Sequence, residues 1–229
     1  MERGLEGKRV AVLAGDDVDA RELSEPRQAL EAAGAIVQIV TPHAGTVRVQ
    51  GGEGESVRAD CTLADCHAGD FDALLLPGGA GAQTLASDPK AVQVVREFMI
   101  ADKPVGAICE GASLLLAADA VAGRTVATMP ELRTEVADAG GHWVDMPVQV
   151  DERLVTSRGP ADLPHFTRAI VHEFGEQIEE SMVDQVVEQS FPASDPPPGP
   201  TSIGGEGAAK GRGASAERAP DRDAADGRL

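Results

Sequence analysis

From Arg9 to Phe174 the apolar residues follow two alternating rhythms. Short continuous runs, RVAVLA at 9–14, AIVQIVT at 35–41, DALLLPGG at 72–79 and the PVGAI that begins at Pro104, read as strands covered on both faces, since a half-exposed strand would alternate apolar with polar. Between them the spacing predicts helices over about Glu22 to Ala33, Lys90 to Ala101 and Gly111 to Asp119, with an irregular, two-stranded stretch from Thr46 to Ala59. A strand at Thr125 to Thr128, a helix at Pro130 to Ala139, a hairpin at Val148 to Ser157 turning near Asp151 and Glu152, and a last helix over about Asp162 to Phe174 complete the pattern. Such alternation predicts an α/β fold, a doubly wound, mostly parallel sheet sandwiched by helices. Ligands of such sheets bind beyond the carboxyl ends of the strands, and three segments fall there: the Gly15 to Asp19 loop, Gly78 with Gly79, and Cys109.

Length and composition set the boundaries. A chain of 229 residues, 42% hydrophobic, holds one domain with a full core plus an appendage. The expected division is a short segment at 1–8, an α/β domain at 8–176 and an extension at 177–229. From about residue 188 the chain turns to Pro, Gly, Ala, Ser and charges, with Phe191 an isolated apolar residue, and predicts disorder. No apolar run approaches the ~20 residues that span a bilayer, and the first eight residues are too polar for a signal peptide, so a cytoplasmic protein is expected.

The formal charge of −18 argues against nucleic acid and anionic membranes as partners, because holding phosphates needs clustered Lys and Arg. From Asp184 onward there are eight acids and five bases, so −15 of that charge belongs to the folded part. Small molecules or peptides are the expected partners. Three cysteines make no disulfide framework, and Cys61, Cys66 and His67 lack the spacing of a zinc site, so free thiols, no metal and no cofactor are expected.

The chemistry concentrates at Pro104 to Ala118, PVGAICEGASLLLAA, where an apolar strand enters a small-x-Cys-x-Gly turn and leaves as a helix. This is the pattern of a nucleophile elbow, whose sharp backbone needs small neighbours such as Ala107 and Gly111 around Cys109. A thiol at a helix start sits in a field that favours thiolate. Read alone, the same stretch also suits a buried structural cysteine. His142 beside Trp143, His165 and His172 read as surface or packing residues, and His43 and His67 fall in loops.

The order AVLAGDDVDARELSEP, FDALLLPGG, KPVGAICEGASLLLAAD, GRTVATMPELRTEVADAGGHWVD and LVTSRGPADLPHF resembles the ThiJ/PfpI family, on the branch of PfpI-like intracellular proteases and general stress proteins. The resemblance covers nearly all of 8–174 and implies a flavodoxin-like, class I glutamine amidotransferase-like fold and a homodimer or higher homo-oligomer. It implies Cys109 as nucleophile, an oxyanion hole from the N–H groups of Gly79 and Glu110, and an acid from the first strand–helix loop meeting the sulfur. Asp19 matches that acid, with Asp16 and Asp17 as further candidates. The chain departs from the family where a His follows the Cys, here Glu110; where a neighbouring subunit gives an acid, here Gln83; and before the Pro of a later strand, here Met129.

A carboxylate about 4 Å from a thiolate repels it by up to ~4 kcal/mol at an effective dielectric of ~20, whereas a helix N-terminus returns only ~0.3 to 2 kcal/mol. One acid must therefore stay protonated and donate to the sulfur, and Asp19 is the expected one, with Glu110 either pointing to solvent or titrating as a coupled pair with it. Two functions follow. One is a cysteine-dependent hydrolase or stress-protective enzyme acting on peptide, amide or aldehyde-adduct carbonyls through Cys109, with Asp19 and Glu110 as its acids. The other is a redox-sensing binding protein in which Cys109 is oxidised without turnover.

Overall fold

The computed structural model describes residues 4–51 and 55–190, with side chains placed as far as Ile178. In chain order the strands are β1 (Arg9–Leu13), β2 (Val18–Asp19), β3 (Ile36–Thr41), β4 (Thr46–Gln50), β5 (Ser56–Arg58), β6 (Cys61–Thr62), β7 (Ala73–Leu76), β8 (Val105–Ile108), β9 (Thr125–Ala127), β10 (His142–Val144), β11 (Val148–Asp151) and β12 (Leu154–Ser157). The helices are α1 (Ala20–Ala32), α2 (Ala80–Ala86), α3 (Pro89–Ile100), α4 (Ala112–Ala117), α5 (Arg133–Asp138) and α6 (Leu163–Ser190).

Seven strands form the central sheet in the order β11-β12-β8-β7-β1-β3-β6. All pairings are parallel except the β11–β12 hairpin at one edge, whose turn is made by Glu152 at φ 52°. The continuous apolar runs have the expected cause, because alternate residues of each strand enter different cores. Ala11, Leu13, Leu74, Leu76, Val105 and Ala107 pack with α3 and α4 through residues such as Val95, Phe98, Leu114 and Leu115. Val10, Val12, Ala73, Leu75, Ile108 and Val155 pack with α1 and α6 through Leu23, Leu30, Phe166, Ile170 and Phe174. Gly106 on β8 lets α6 lie close, since a Cβ there would come within 3.0 Å of Ile170 and 3.3 Å of Phe174.

The stretch after β3 is the two-stranded β4–β5 hairpin, and β4 also pairs with β2. The Thr125 strand, β9, stands outside the central sheet and pairs with β10. Two helical features exceed the sequence pattern. The short helix α2 follows Gly79 directly, and α6 runs to Ser190 instead of stopping near Phe174. The expected disorder of the tail falls outside the described residues, apart from the helical backbone up to Ser190. No helix among the described residues is long and apolar enough to cross a membrane.

Candidate active site

Cys109 stands at the carboxyl end of β8, in a single 3-10 turn (Cys109–Gly111) that leads into α4. Its φ of 55° is a left-handed conformation that costs a residue with a Cβ ~1 to 3 kcal/mol and aims the side chain out of the strand end. The turn is possible because Gly111 packs against the end of β7, where a Cβ would overlap the Leu76 carbonyl. The expected elbow is therefore present, built on the small residues that the sequence offered for it.

Two loops close on the elbow. Asp19 N–H donates to Gly78 O at 3.1 Å, and Val18 forms an isolated antiparallel bridge with Gly79. Gly79, at φ 92°, has no room for a side chain, since a Cβ would lie 2.5 Å from Asp19 N. Gly78 is the floor of the site: a Cβ there would stand 2.5 Å from Glu22 Oε2, 2.6 Å from Glu110 Oε2 and 2.9 Å from Cys109 Cβ. From the other side the backbone at Gly159 approaches the sulfur, an added Cβ lying 3.5 Å from Cys109 Sγ.

The acid that meets the thiol is Glu22, which corrects the expectation of Asp19. Asp19 is the N-cap of α1, and its Oδ1 accepts from Arg21 N at 2.9 Å and Glu22 N at 3.0 Å. Asp16 and Asp17 are engaged by Arg48, whose N–H donates to Asp16 and whose guanidinium donates to Asp17. Glu22 sits one turn further along α1 and is 1% exposed. Ligand atoms of Glu22, Cys109 and Glu110 all lie within 4.8 Å of one another. Aspartate followed three residues later by glutamate is the spacing of a capping box, in which Glu22 would fold back onto the Asp19 N–H. That N–H is already given to Gly78, so the Glu22 carboxyl turns inward. The sequence did hold a signal: Glu22 shares the buried stripe of Leu23, Pro26 and Leu30, where a glutamate has no packing reason to be.

The two glutamates differ in charge. Burial pushes the Glu22 carboxyl up to about 7, with the charges of Asp19 and Glu110 adding to it and the Gly78 N–H, which donates to Oε2 at 2.8 Å, opposing. Its Oε1 is buried and accepts no hydrogen bond, which adds to the cost of a charge there. For Glu110 burial also acts upward, but the Cys109 thiol, the Gly79 N–H and its own backbone N–H outweigh it and hold the carboxyl below its usual value. Cys109 is pushed well above an ordinary thiol, first by burial, then by the charge of Glu22 and by donating its S–H to Glu110.

The proposed oxyanion donors are thus in use. Gly79 N–H donates to Glu110 Oε2 at 3.0 Å, and the Glu110 N–H serves the same carboxylate. All five histidines are exposed, and the groups that shape Cys109 are carboxyl and backbone groups. His43 lies 4.0 Å from Asp16, and His172 is bonded to Glu173. Gln83 is exposed on α2, and Met129 is half-buried ahead of α5. Cys61 and Cys66 are free thiols in or against the core, Cys66 pushed up to about 12 by burial. A divalent ion held by Glu22, Cys109 and Glu110 would have to displace the Cys109 proton, which burial holds well above an ordinary thiol's range, and that of Glu22, which titrates at about 7.

The chain as a whole is similar to known proteins. A family model described as the DJ-1/PfpI family matches residues 8–173. The protein/nucleic acid deglycase 2 of Escherichia coli is 38% identical over 170 residues, 73% of this chain and 98% of that protein. General stress protein 18 of Bacillus subtilis is 38% identical over 164 residues, 71% of this chain and 95% of that one. Among solved structures, a two-domain protein with DJ-1/ThiJ/PfpI-like and ferritin-like domains from Anabaena variabilis aligns with a TM-score of 0.71 at 31% identity, covering 73% of this chain and 50% of that one.

Proposed function

The chain belongs to the DJ-1/PfpI family, and within it we propose a stress-protective enzyme in which Cys109 attacks the carbonyl carbon of small aldehydes and of their adducts. The observation that carries this reading is the placement of Glu22: a carboxyl 1% exposed, with an unpartnered oxygen and a pKa of about 7, packed against an elbow cysteine. A group of that pKa can give and take a proton near neutral pH. The thiol proton passes to a carboxylate of the site as sulfur bonds to carbon, the C=O π bond opens, and Glu22 supplies the proton that the new oxygen takes up. The product of this step is a neutral hemithioacetal.

Aldehyde carbonyls are favoured over amides for a physical reason. Amide cleavage needs a stabilised oxyanion and a proton for a poor leaving group, and here the Gly79 N–H is given to Glu110 and no imidazole lies at the sulfur. A neutral hemithioacetal needs neither. The relatives' names span both chemistries, a deglycase and a general stress protein beside a Bacillus subtilis protein named as a putative cysteine protease, so the choice rests on the geometry of the site. The raised Cys109 thiol slows oxidation and attack alike; what favours turnover over a sensor oxidised without it is the proton-carrying Glu22 at the sulfur, for which the sensor has no use.

The test offers small aldehydes, and their adducts with amino acids and thiols, to the wild type, Cys109→Ser and Glu22→Gln, with the products followed by NMR. Turnover by the wild type that both variants lose supports the reading. Wild-type rates no higher than those of Cys109→Ser would remove it. We propose in addition that the protein is at least a homodimer, to be read by light scattering as twice 23.7 kDa or more. A mass of one chain at micromolar concentration would exclude that assembly.

A further inference from the structure

We propose that the Glu110 carboxylate is a tethered occupant of the anion cradle beside Cys109, and that it restricts the site to carbonyl compounds without a negative charge. The inference concerns the ligand class of the site discussed above, but it rests on the geometry of the cradle and not on turnover.

The cradle is rigid and the occupant is hinged. Gly78 and Gly79 are buried and fixed by the Asp19 N–H bond to Gly78 O and by the Val18–Gly79 bridge. Glu110 is half-buried, and its side chain reaches the cradle at the Gly79 N–H. Two backbone N–H groups, of Gly79 and Glu110, converging on one place select an anion there. A carboxylate with its own backbone N–H and that of Gly79 as donors copies the contacts that a substrate oxyanion or a substrate carboxylate would make. Any such group must displace Glu110 and then lie beside the charge it displaced. A neutral aldehyde has no such competitor and meets the Cys109 sulfur with Glu110 in place.

The occupant also explains why the chain tolerates a carboxylate next to its nucleophile. Charge on Glu110 is stabilised by the two N–H donors and the Cys109 thiol, while Glu22, with one backbone donor and deeper burial, takes the proton. The two acids therefore divide their roles by position, one filling the cradle and one left to move protons.

The test compares two thiol reagents of nearly equal size, neutral iodoacetamide and anionic iodoacetate, with alkylation at Cys109 resolved from Cys61 and Cys66 by peptide mass. The ratio of the two rates cancels the thiolate fraction and needs no substrate. It is measured on the wild type, Glu110→Gln and Glu110→Ala, after circular dichroism shows that each is folded, and on the wild type unfolded in urea as reference. In the wild type the ratio should favour iodoacetamide by about tenfold or more over the unfolded chain. Glu110→Gln removes the charge but keeps a side-chain oxygen on the Gly79 N–H, so its ratio should fall only part of the way. Glu110→Ala empties the cradle, and its ratio should fall to that of the unfolded chain or below. Equal ratios for Gln and Ala would show that charge alone excludes anions and would overturn the occupancy. Ratios equal to the wild type in both variants would overturn the proposal altogether. If alkylation follows the expected order while no aldehyde is turned over, the enzymatic reading fails and this one stands.

Discussion

Glu22 and Glu110 take neighbouring amides of one loop: Gly78 N–H donates to Glu22 at 2.8 Å and Gly79 N–H donates to Glu110 at 3.0 Å. The two bonds are of similar length, yet one carboxyl is raised to about 7 and the other is lowered. Depth and donors together make the difference: Glu22, on the buried face of α1, has one backbone donor, whereas Glu110 is half-buried and holds two backbone N–H groups and the Cys109 thiol.

Stability should fall as pH rises from about 4.5 to about 7. The folded state binds the Glu22 proton more tightly than the unfolded chain, whose carboxyl titrates near 4.5, so each step up in pH through that window favours unfolding. A shift of this size corresponds to ~3 kcal/mol at most, and Glu110, whose lowered carboxyl acts in the opposite sense, does so below the window. Glu22→Gln, which keeps an acceptor for Gly78, should flatten the profile and be the more stable protein at pH 8. Urea denaturation at pH 5 and pH 8 reads this, and a wild type no less stable at the higher pH would contradict it.

Cys109 should alkylate slowly at neutral pH, its rate still rising above the ~8.5 of a free thiol. Above pH 7 ionised Glu22 is part of what suppresses the thiolate, so Glu22→Gln should move the iodoacetamide profile of Cys109 to lower pH by about one unit. A profile centred below 8 in the wild type would mean that the sulfur is more polarised than its surroundings allow.

Asp19→Ala should cost ~1 kcal/mol of stability through loss of the α1 cap. Its effect on Cys109 alkylation should be smaller than that of Glu22→Gln, because Asp19 acts on the sulfur only through Glu22. Denaturant midpoints and alkylation rates of the two variants, taken side by side, decide this; an Asp19 effect equal to the Glu22 effect would restore Asp19 as the acid at the thiol.

Gly111→Ala should destabilise by about 3 kcal/mol or more, since its Cβ would overlap the Leu76 carbonyl, a backbone atom that no rotamer change can move. Thermal unfolding measures it. A loss under 1 kcal/mol would show that the elbow can relax away from β7.

The strands were legible because each central run is apolar on both faces, and the elbow because small residues flank Cys109. Where α2 begins was hidden: AGAQTLA is one short, weakly apolar stretch that reads as loop until it is seen to follow a glycine at positive φ. The length of α6 was hidden too, since its polar later turns carry no strong period. The acid at the thiol was missed for a different reason. Sequence spacing favours a loop carboxylate near a loop site, and the inward turn of Glu22 depends on the Asp19 N–H being given to the Gly78 carbonyl, a contact between distant segments. The occupancy of the Gly79 N–H was likewise beyond reach, because a tethered carboxylate and an empty oxyanion hole are written with the same residues.

The bridge between Val18 and Gly79 ties the loop that carries the anion donors to the strand that leads into α1. Neither segment can loosen alone without losing a bond to the other, so the cradle has no private opening motion. Its amides should therefore belong to the slow-exchanging set. The Asp19 N–H, held by Gly78 in the middle of this seam, should take up deuterium only when the central sheet itself comes apart, at the pace of the amides of β1 and β7.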